Sequence, residues 1–333
     1  MSESTATAAL KTSTSLTPFQ YPVIPWDGKP ISRPGIYSGM PIETYHTDIC
    51  VGPSISSTGV RLIEDKSLAH FWDKSYLNPE FDPDDFDDDT AAFKMGRAAH
   101  ILYLGEKGFA EKFAVRPDEA PDGRDWNGNN KSCKEWVAAR KAEKRAVLTR
   151  DEVEILRGMA ASLAKDPVVK LGLINGLIEH SMFWLDEATG IWIKARPDAI
   201  PTNVDIIADL KTVADASAYG ARKSIRERAY HIQLALAGIC LEKLTGRILG
   251  NDDYALLFVE KKRPYCVNLK PVDIVDIWYG RCQIRRALNA LAEAIRTGNF
   301  SGYADNGATA ALPDWYRKEL ERQMVAGLLP KSF

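Results

Sequence analysis

No cysteine pair in this sequence has the spacing of a metal clasp. The five cysteines, at 50, 133, 240, 266 and 282, contain no CxxC and no other ligand spacing, so neither a zinc site nor an iron–sulfur cluster is indicated and reduced, structural thiols are expected. Long apolar runs are missing too. Nowhere do about 18 apolar residues follow one another, and the first residues lack a basic segment leading into an apolar one, so neither membrane spanning nor export is expected and a cytoplasmic location is. Charge of one sign is also lacking. With 43 Lys+Arg against 45 Asp+Glu the formal net charge is -2, so any contact with nucleic acid must come from a locally basic groove. Internal repeats are absent as well. What is present is 333 residues, 45% hydrophobic and 26% charged, enough to bury the core of one large domain or of a domain with an appendage.

Residues 1–40 mix Ser, Thr, Ala, Pro and Gly with little periodicity, which predicts a disordered N-terminal arm. Residues 41–333 read as a single domain. A helical part is expected over 54–165, starting where Ser56 or Ser57 can cap a helix carrying Val60, Leu62, Ile63, Leu68 and Phe71 roughly on one face. Within it "AAFKMGRAAHILYLGE" is a helix pattern that puts Gly96 and His100 on one face. The stretch 82–89 holds six Asp but lacks the glycine and closing Glu of a calcium loop, so a solvated loop is expected there. An α/β core is expected over 176–300. Its parts are a hairpin around "DEATG", a third strand "NVDIIADLKTV", a long helix from about 215 to 246, two more strands, and a second long helix from 272 to 298. The tail, 301–333, carries Leu320, Met324 and Leu328 at helical spacing and is expected to pack on the core, with a neighbouring subunit as the alternative.

Chemistry concentrates in "KARPDAIPTNVDIIADLKTV", residues 194–213. Successive strand residues point to opposite faces, so Asp209 and Lys211 project together while Leu210 serves the packing. Asp198 follows Pro197 at the end of the preceding hairpin strand, and neighbouring strands lie about 4.8 Å apart, so the two carboxylates can converge on one cation beside an ammonium. Hard oxygens of this kind suit Mg²⁺, with Mn²⁺ as a substitute, and a cation next to a lysine is equipment for phosphodiester hydrolysis. On the next helix Tyr230 and Gln233 share a face, from which an amide can reach the site or a phosphate. Lys194 and Arg196 beside the hairpin, and Arg222, Lys223, Arg226 and Arg228 ahead of Tyr230, are candidates to neutralise phosphates.

The whole pattern, "ARPD", then "IIADLKT", then "YHIQLALAG", resembles the PD-(D/E)XK nuclease superfamily, written here as Pro197-Asp198 and Asp209-Leu210-Lys211. The upstream "GRAAH" is similar to the helical Gly-x-x-x-His of the exodeoxyribonuclease VIII (RecE-type) phage and prophage recombination exonucleases. That resemblance implies a restriction-endonuclease-like fold: a central mixed β-sheet flanked by helices, with a helical N-terminal extension. It also implies Asp198, Asp209, the Leu210 carbonyl and His100 as metal ligands, Lys211 as the catalytic lysine, and Glu179 as a further acidic contact. The family often continues Gln-x-x-x-Tyr, but Ala237 stands at the last position here. The activity implied is Mg²⁺-dependent degradation of linear double-stranded DNA, 5′ to 3′, to single strands for recombination by annealing. A ring-shaped homo-oligomer and a single-strand annealing partner go with it. An endonuclease or structure-specific nuclease on the same scaffold, or a silent DNA-binding relative, are the alternatives, because fold does not fix substrate.

Overall fold

A computed structural model describes residues 20–82, 91–104, 108–200, 202, 206–303 and 309–329. The chain opens with β1 (Val23–Pro25), β2 (Gly35–Ser38), α1 (Ile42–Tyr45), β3 (Ser54–Ile55), α2 (Ser57–Asp65) and α3 (Leu68–Asp73). A mostly helical block follows: α4 (Ala91–Tyr103), α5 (Phe109–Lys112), β4 (Phe113–Val115), α6 (Lys131–Ala142), β5 (Ala146–Leu148), α7 (Arg150–Leu163) and α8 (Pro167–Lys170). The rest comprises β6 (Leu177–Ile178), β7 (Ser181–Asp186), β8 (Ile191–Ala195), β9 (Ala199–Ile200), β10 (Ile207–Val213), α9 (Ala218–Arg228) and α10 (Tyr230–Thr245), then β11 (Tyr254–Glu260), β12 (Val267–Pro271), α11 (Ile274–Thr297) and α12 (Asp314–Val325).

The architecture is mixed α/β, as the sequence implies. One five-stranded sheet has the order β1-β2-β7-β8-β3 and a second the order β12-β11-β10-β9-β6. The expected hairpin is present as β7 and β8, paired antiparallel from Met182 opposite Ala195 to Asp186 opposite Ile191. Its second strand does not lie beside the lysine strand. The chain leaves the first sheet at Ala195 and joins the second at Ala199, and the antiparallel neighbour of β10 is the two-residue β9, with Ala208 opposite Ala199. Pro197 sits at that crossing, where a residue with no N–H and a fixed φ ends a ladder without leaving a donor unpaired. On its other edge β10 pairs parallel with β11, Ile207 opposite Tyr254 through Val213 opposite Glu260.

Alternation along β10 feeds two cores. Ile207 and Val213 join an apolar cluster built on α10 and α11, whereas Ala208 and Leu210 join one built on α4 and α7. Asp209 and Lys211 therefore stand on the α10 side of the sheet, sharing a face with Ile207 and Val213. The helix expected over 215–246 is two helices. Ser217 caps α9 by accepting from the Gly220 N–H, and Ala229, at φ 51 and ψ 42, breaks the helix before α10. Left of that break α9 is polar; right of it α10 is buried nearly all round, through Ile232, Leu234, Ala235, Leu236, Ala237 and Leu241.

Two expectations are corrected. Residues 23–38 are not a loose arm: β2 pairs antiparallel with β7, Gly35 opposite Phe183, and Ile36 and Tyr37 are buried. Residues 1–19, and 83–90 of the acidic stretch, lie outside the described residues. The tail does not pack on the core, because α12 contains no buried residue and Leu328 is 77% exposed. Among the described residues no helix is long and apolar enough to cross a membrane.

Candidate active site

A cleft of about 1190 Å³ runs past the end of β10, lined among others by His100, Glu179, Asp198, Asp209, Lys211 and Gln233. Asp209 and Lys211 come from β10 itself, and four further elements deliver the rest. His100 comes from α4, Glu179 from the bend between β6 and β7, Asp198 from the sheet-to-sheet crossing, and Gln233 from the first turn of α10. Two groups of contacts result. In one, His100 Nδ1 lies 3.0 Å from Asp198 Oδ1, and Asp198 Oδ2 accepts the Leu210 N–H at 2.6 Å. Donor atoms of His100, Glu179 and Asp198 all fall within 4.8 Å of one another. In the other, the Lys211 ammonium contacts the Asp209 carboxylate, donates to Gln233 Oε1 at 3.1 Å, and stands 4.6 Å from the centre of the Tyr230 ring. Gln233 Nε2 closes the loop by donating to Asp209 Oδ1 at 3.4 Å.

Electrostatics binds the two groups into one site. Burial raises the Asp209 pKa and the neighbouring Asp198 charge raises it further, against the pull of Lys211. Burial acts upward on Asp198 as well, but the His100 imidazolium, Lys211 and the Leu210 N–H outweigh it and hold that carboxyl below its usual range. His100 is the counterpart: burial disfavours its charge, yet Asp198 wins and pushes the imidazole up to about 9. Lys211 is raised despite burial, by Asp209 and Asp198, so its nitrogen stays an ammonium. Two adjacent carboxylates held apart in proton affinity, with cations supplied to restrain them, form a site that strengthens when a divalent cation replaces the protons.

Glu179 is fixed with care. Its backbone is left-handed at φ 51, its N–H donates to the Asp198 carbonyl at 3.1 Å, and its Oε2 accepts from Arg196 Nε at 2.8 Å. A glutamate in that conformation carries strain of about 1 kcal/mol, which persists because these bonds over-determine it. Burial raises its pKa, followed by Asp198. The residues fit a divalent cation. Asp209 Oδ2 is buried and accepts no hydrogen bond of good geometry, although the lysine touches it, and one imidazole nitrogen among carboxylate oxygens is a donor set for Mg²⁺ or Mn²⁺.

Of the residues chosen for phosphate contact, the structure keeps some and reassigns others. Lys194 does not reach the cleft: it is 4% exposed, donates to the Tyr45 and Thr47 carbonyls at 3.0 Å each, and lies over the Tyr45 and Tyr76 rings. Arg196 lines the cleft, but its guanidinium is spent on Glu179, the Met40 carbonyl and Ser181 Oγ. Arg222 and Arg226 are exposed on the part of α9 turned from the cleft, while Lys223 and Arg228 line it. Tyr230 lines it too, beneath the lysine. Sequence reasoning overlooked Arg97, Lys112, Tyr219 and Lys261, which also line the cleft. Arg97 sits inside "GRAAH" and Tyr219 is four residues before Lys223, so helical spacing could have found both. Lys261 follows β11 and depends on the parallel pairing with β10, which no local pattern announces.

Residues 65–308 match the model of a family described as a PDDEXK-like domain of unknown function (DUF3799). This is the superfamily that Pro197-Asp198 and Asp209-Leu210-Lys211 point to. Among solved structures the chain is similar to a candidate exonuclease from Eubacterium rectale, with 13% identity and a TM-score of 0.49 over 82% of this chain and 92% of that one. No curated protein matches the sequence.

Proposed function

The chain belongs to the PDDEXK-like domain family, and from that footing we propose that it is a divalent-metal-dependent deoxyribonuclease that degrades linear double-stranded DNA from its ends. The observation carrying this reading is the gathering of His100, Glu179, Asp198, Asp209, Lys211 and Gln233 in one cleft with perturbed carboxylates and a permanent ammonium. His100, Glu179, Asp198, Asp209 and the Leu210 carbonyl are the groups that would hold the cation. Extending the β9–β10 register by two places Leu210 opposite Pro197, which has no N–H to offer that carbonyl. A cation there supplies Lewis acidity toward a phosphate oxygen and lowers the pKa of water.

The protein's own groups supply orientation. Lys211 keeps its proton, so it donates rather than accepts, and it can hold an attacking water or a phosphate oxygen in line. Gln233 fixes that ammonium through its Oε1, and the Tyr230 ring supports it from below. Lys223, Arg228 and Lys261 on the cleft walls are placed to neutralise phosphates on either side.

Attack at ends, 5′ to 3′ polarity, single-stranded product for an annealing protein, Mg²⁺ as the working ion and a ring-shaped homo-oligomer are the finer parts of the proposal, resting on the likeness to the exodeoxyribonuclease VIII exonucleases. Incubating the protein with end-labelled linear DNA and covalently closed circles, in Mg²⁺, in Mn²⁺ and in EDTA, tests the attack at ends and the working ion. Linear DNA should disappear only with a cation, and circles should persist. Loss of the circles would replace the exonuclease by an endonuclease, and inertness toward both in either metal would remove the nuclease reading.

A further inference from the structure

We propose that Tyr219 is a base-stacking platform that takes the face of a nucleotide base separated from its complement. The inference deepens the nuclease reading and rests on it. Tyr219 lines the catalytic cleft, is 70% exposed, and has no hydrogen bond or ring contact to any described residue. An isolated surface tyrosine needs no explanation. This one stands in a cleft whose wall also carries Lys223, Arg228 and Lys261, and its helix turn is closely seated. Ser217 caps the first turn of α9, and a Cβ at the next residue, Gly220, would come within 2.4 Å of the Asp215 carbonyl oxygen, so the turn that carries Tyr219 is seated against the strand–helix bend without room to slide.

Lys223 shares its helix face, one turn on and about 6 Å along the axis. Its ion pair with Glu227, at 3.9 Å between exposed side chains, holds it only weakly, so it can turn to a phosphate. An aromatic ring and an ammonium spaced this way, above a site that acts on a phosphodiester, match one nucleotide: the ring to the base, the ammonium to its backbone. Within a duplex both faces of every internal base are covered by neighbours. Only a terminal, frayed or single-stranded nucleotide offers a face, so the feature selects a strand that has parted from its partner before reaching Lys211.

The full chain, mixed with a single-stranded oligonucleotide carrying 2-aminopurine, reports stacking by fluorescence quenching, measured in EDTA and again in Ca²⁺. Quenching is expected with the wild type and with Tyr219→Phe and Tyr219→Trp. Tyr219→Ala should lose it and bind about 5- to 150-fold more weakly, the equivalent of about 1–3 kcal/mol per stacked base. An oligonucleotide with an abasic site at the sensitive position should bind the wild type as weakly as the intact strand binds Tyr219→Ala, and that variant should not discriminate between the two strands. Equal binding and quenching by wild type and Tyr219→Ala would overturn the platform, and so would a Tyr219→Phe variant as weak as Tyr219→Ala. A protein that cleaves linear DNA while Tyr219→Ala behaves as wild type loses only this inference; one that quenches through Tyr219 yet never cleaves keeps it and loses the nuclease.

Discussion

Lys194 and Lys211, seventeen positions apart in one motif, are a buried and a largely buried lysine with opposite electrostatics. Lys211 faces two carboxylates and its pKa is raised; Lys194 faces carbonyls and rings, and burial lowers its pKa to about 8. Replacing Lys211 by Ala should cut cleavage of linear DNA about 10²–10³-fold or more, the scale of removing one donor aimed at developing charge, while circular dichroism stays unchanged. Wild-type turnover in that variant would end the assignment. Lys194→Met should keep cleavage per folded molecule and lower stability by about 1–3 kcal/mol, since the Tyr45 and Thr47 carbonyls lose their donor. The pH dependence separates the roles further. Because the folded pKa of Lys194 lies below that of an unfolded lysine, the unfolded chain binds more protons between about pH 8 and 10, so this group's contribution to stability rises with pH across that window. Chemical denaturation at pH 7.5 and 9.5 should therefore show the gap between wild type and Lys194→Met widening at the higher pH.

Among the elements, the lysine strand and the hairpin were readable because their alternation is local: every second residue of 207–213 enters a different core. The break between α9 and α10 was not readable. Ala229 takes a left-handed conformation with no glycine or asparagine to signal it, and the helical propensity of the surrounding residues runs straight through. What decides it is burial, since α10 must sink all its sides into the core while α9 stays at the cleft wall. Ala229→Gly should relieve about 1 kcal/mol of backbone strain, partly offset by chain entropy, and raise Tm by about 2 °C in a thermal melt. A lower Tm would mean that the position is not held left-handed. The same joint explains why Lys223 rather than Arg222 lines the cleft, because the direction in which α9 leaves Ala229 sets which residues face inward.

For the whole molecule the two ends make a contrast that composition could not foresee. Removing residues 1–40 should abolish soluble expression or cooperative unfolding: it uncovers the β7 edge, deletes Ile36 and Tyr37 from the core, and takes away the Met40 carbonyl that anchors Arg196. Removing residues 309–333 should leave Tm within about 1–2 °C, because α12 buries nothing. A stable N-terminal truncation, or a C-terminal one that melts far lower, would reverse these assignments in a calorimetric scan. By itself the sequence determined the α/β class, the strand carrying Asp209 and Lys211, and the position of Asp198 after a proline, because period-two alternation and proline's missing N–H act within a few residues. Only the tertiary structure decided that His100 and Glu179 meet at that carboxylate with Arg196 braced against Glu179, that Lys194 is a core residue, and that β1 and β2 belong to a sheet. Those outcomes depend on which distant strand or helix completes each hydrogen bond and covers each apolar face, and contacts between distant segments leave no periodic trace in the chain.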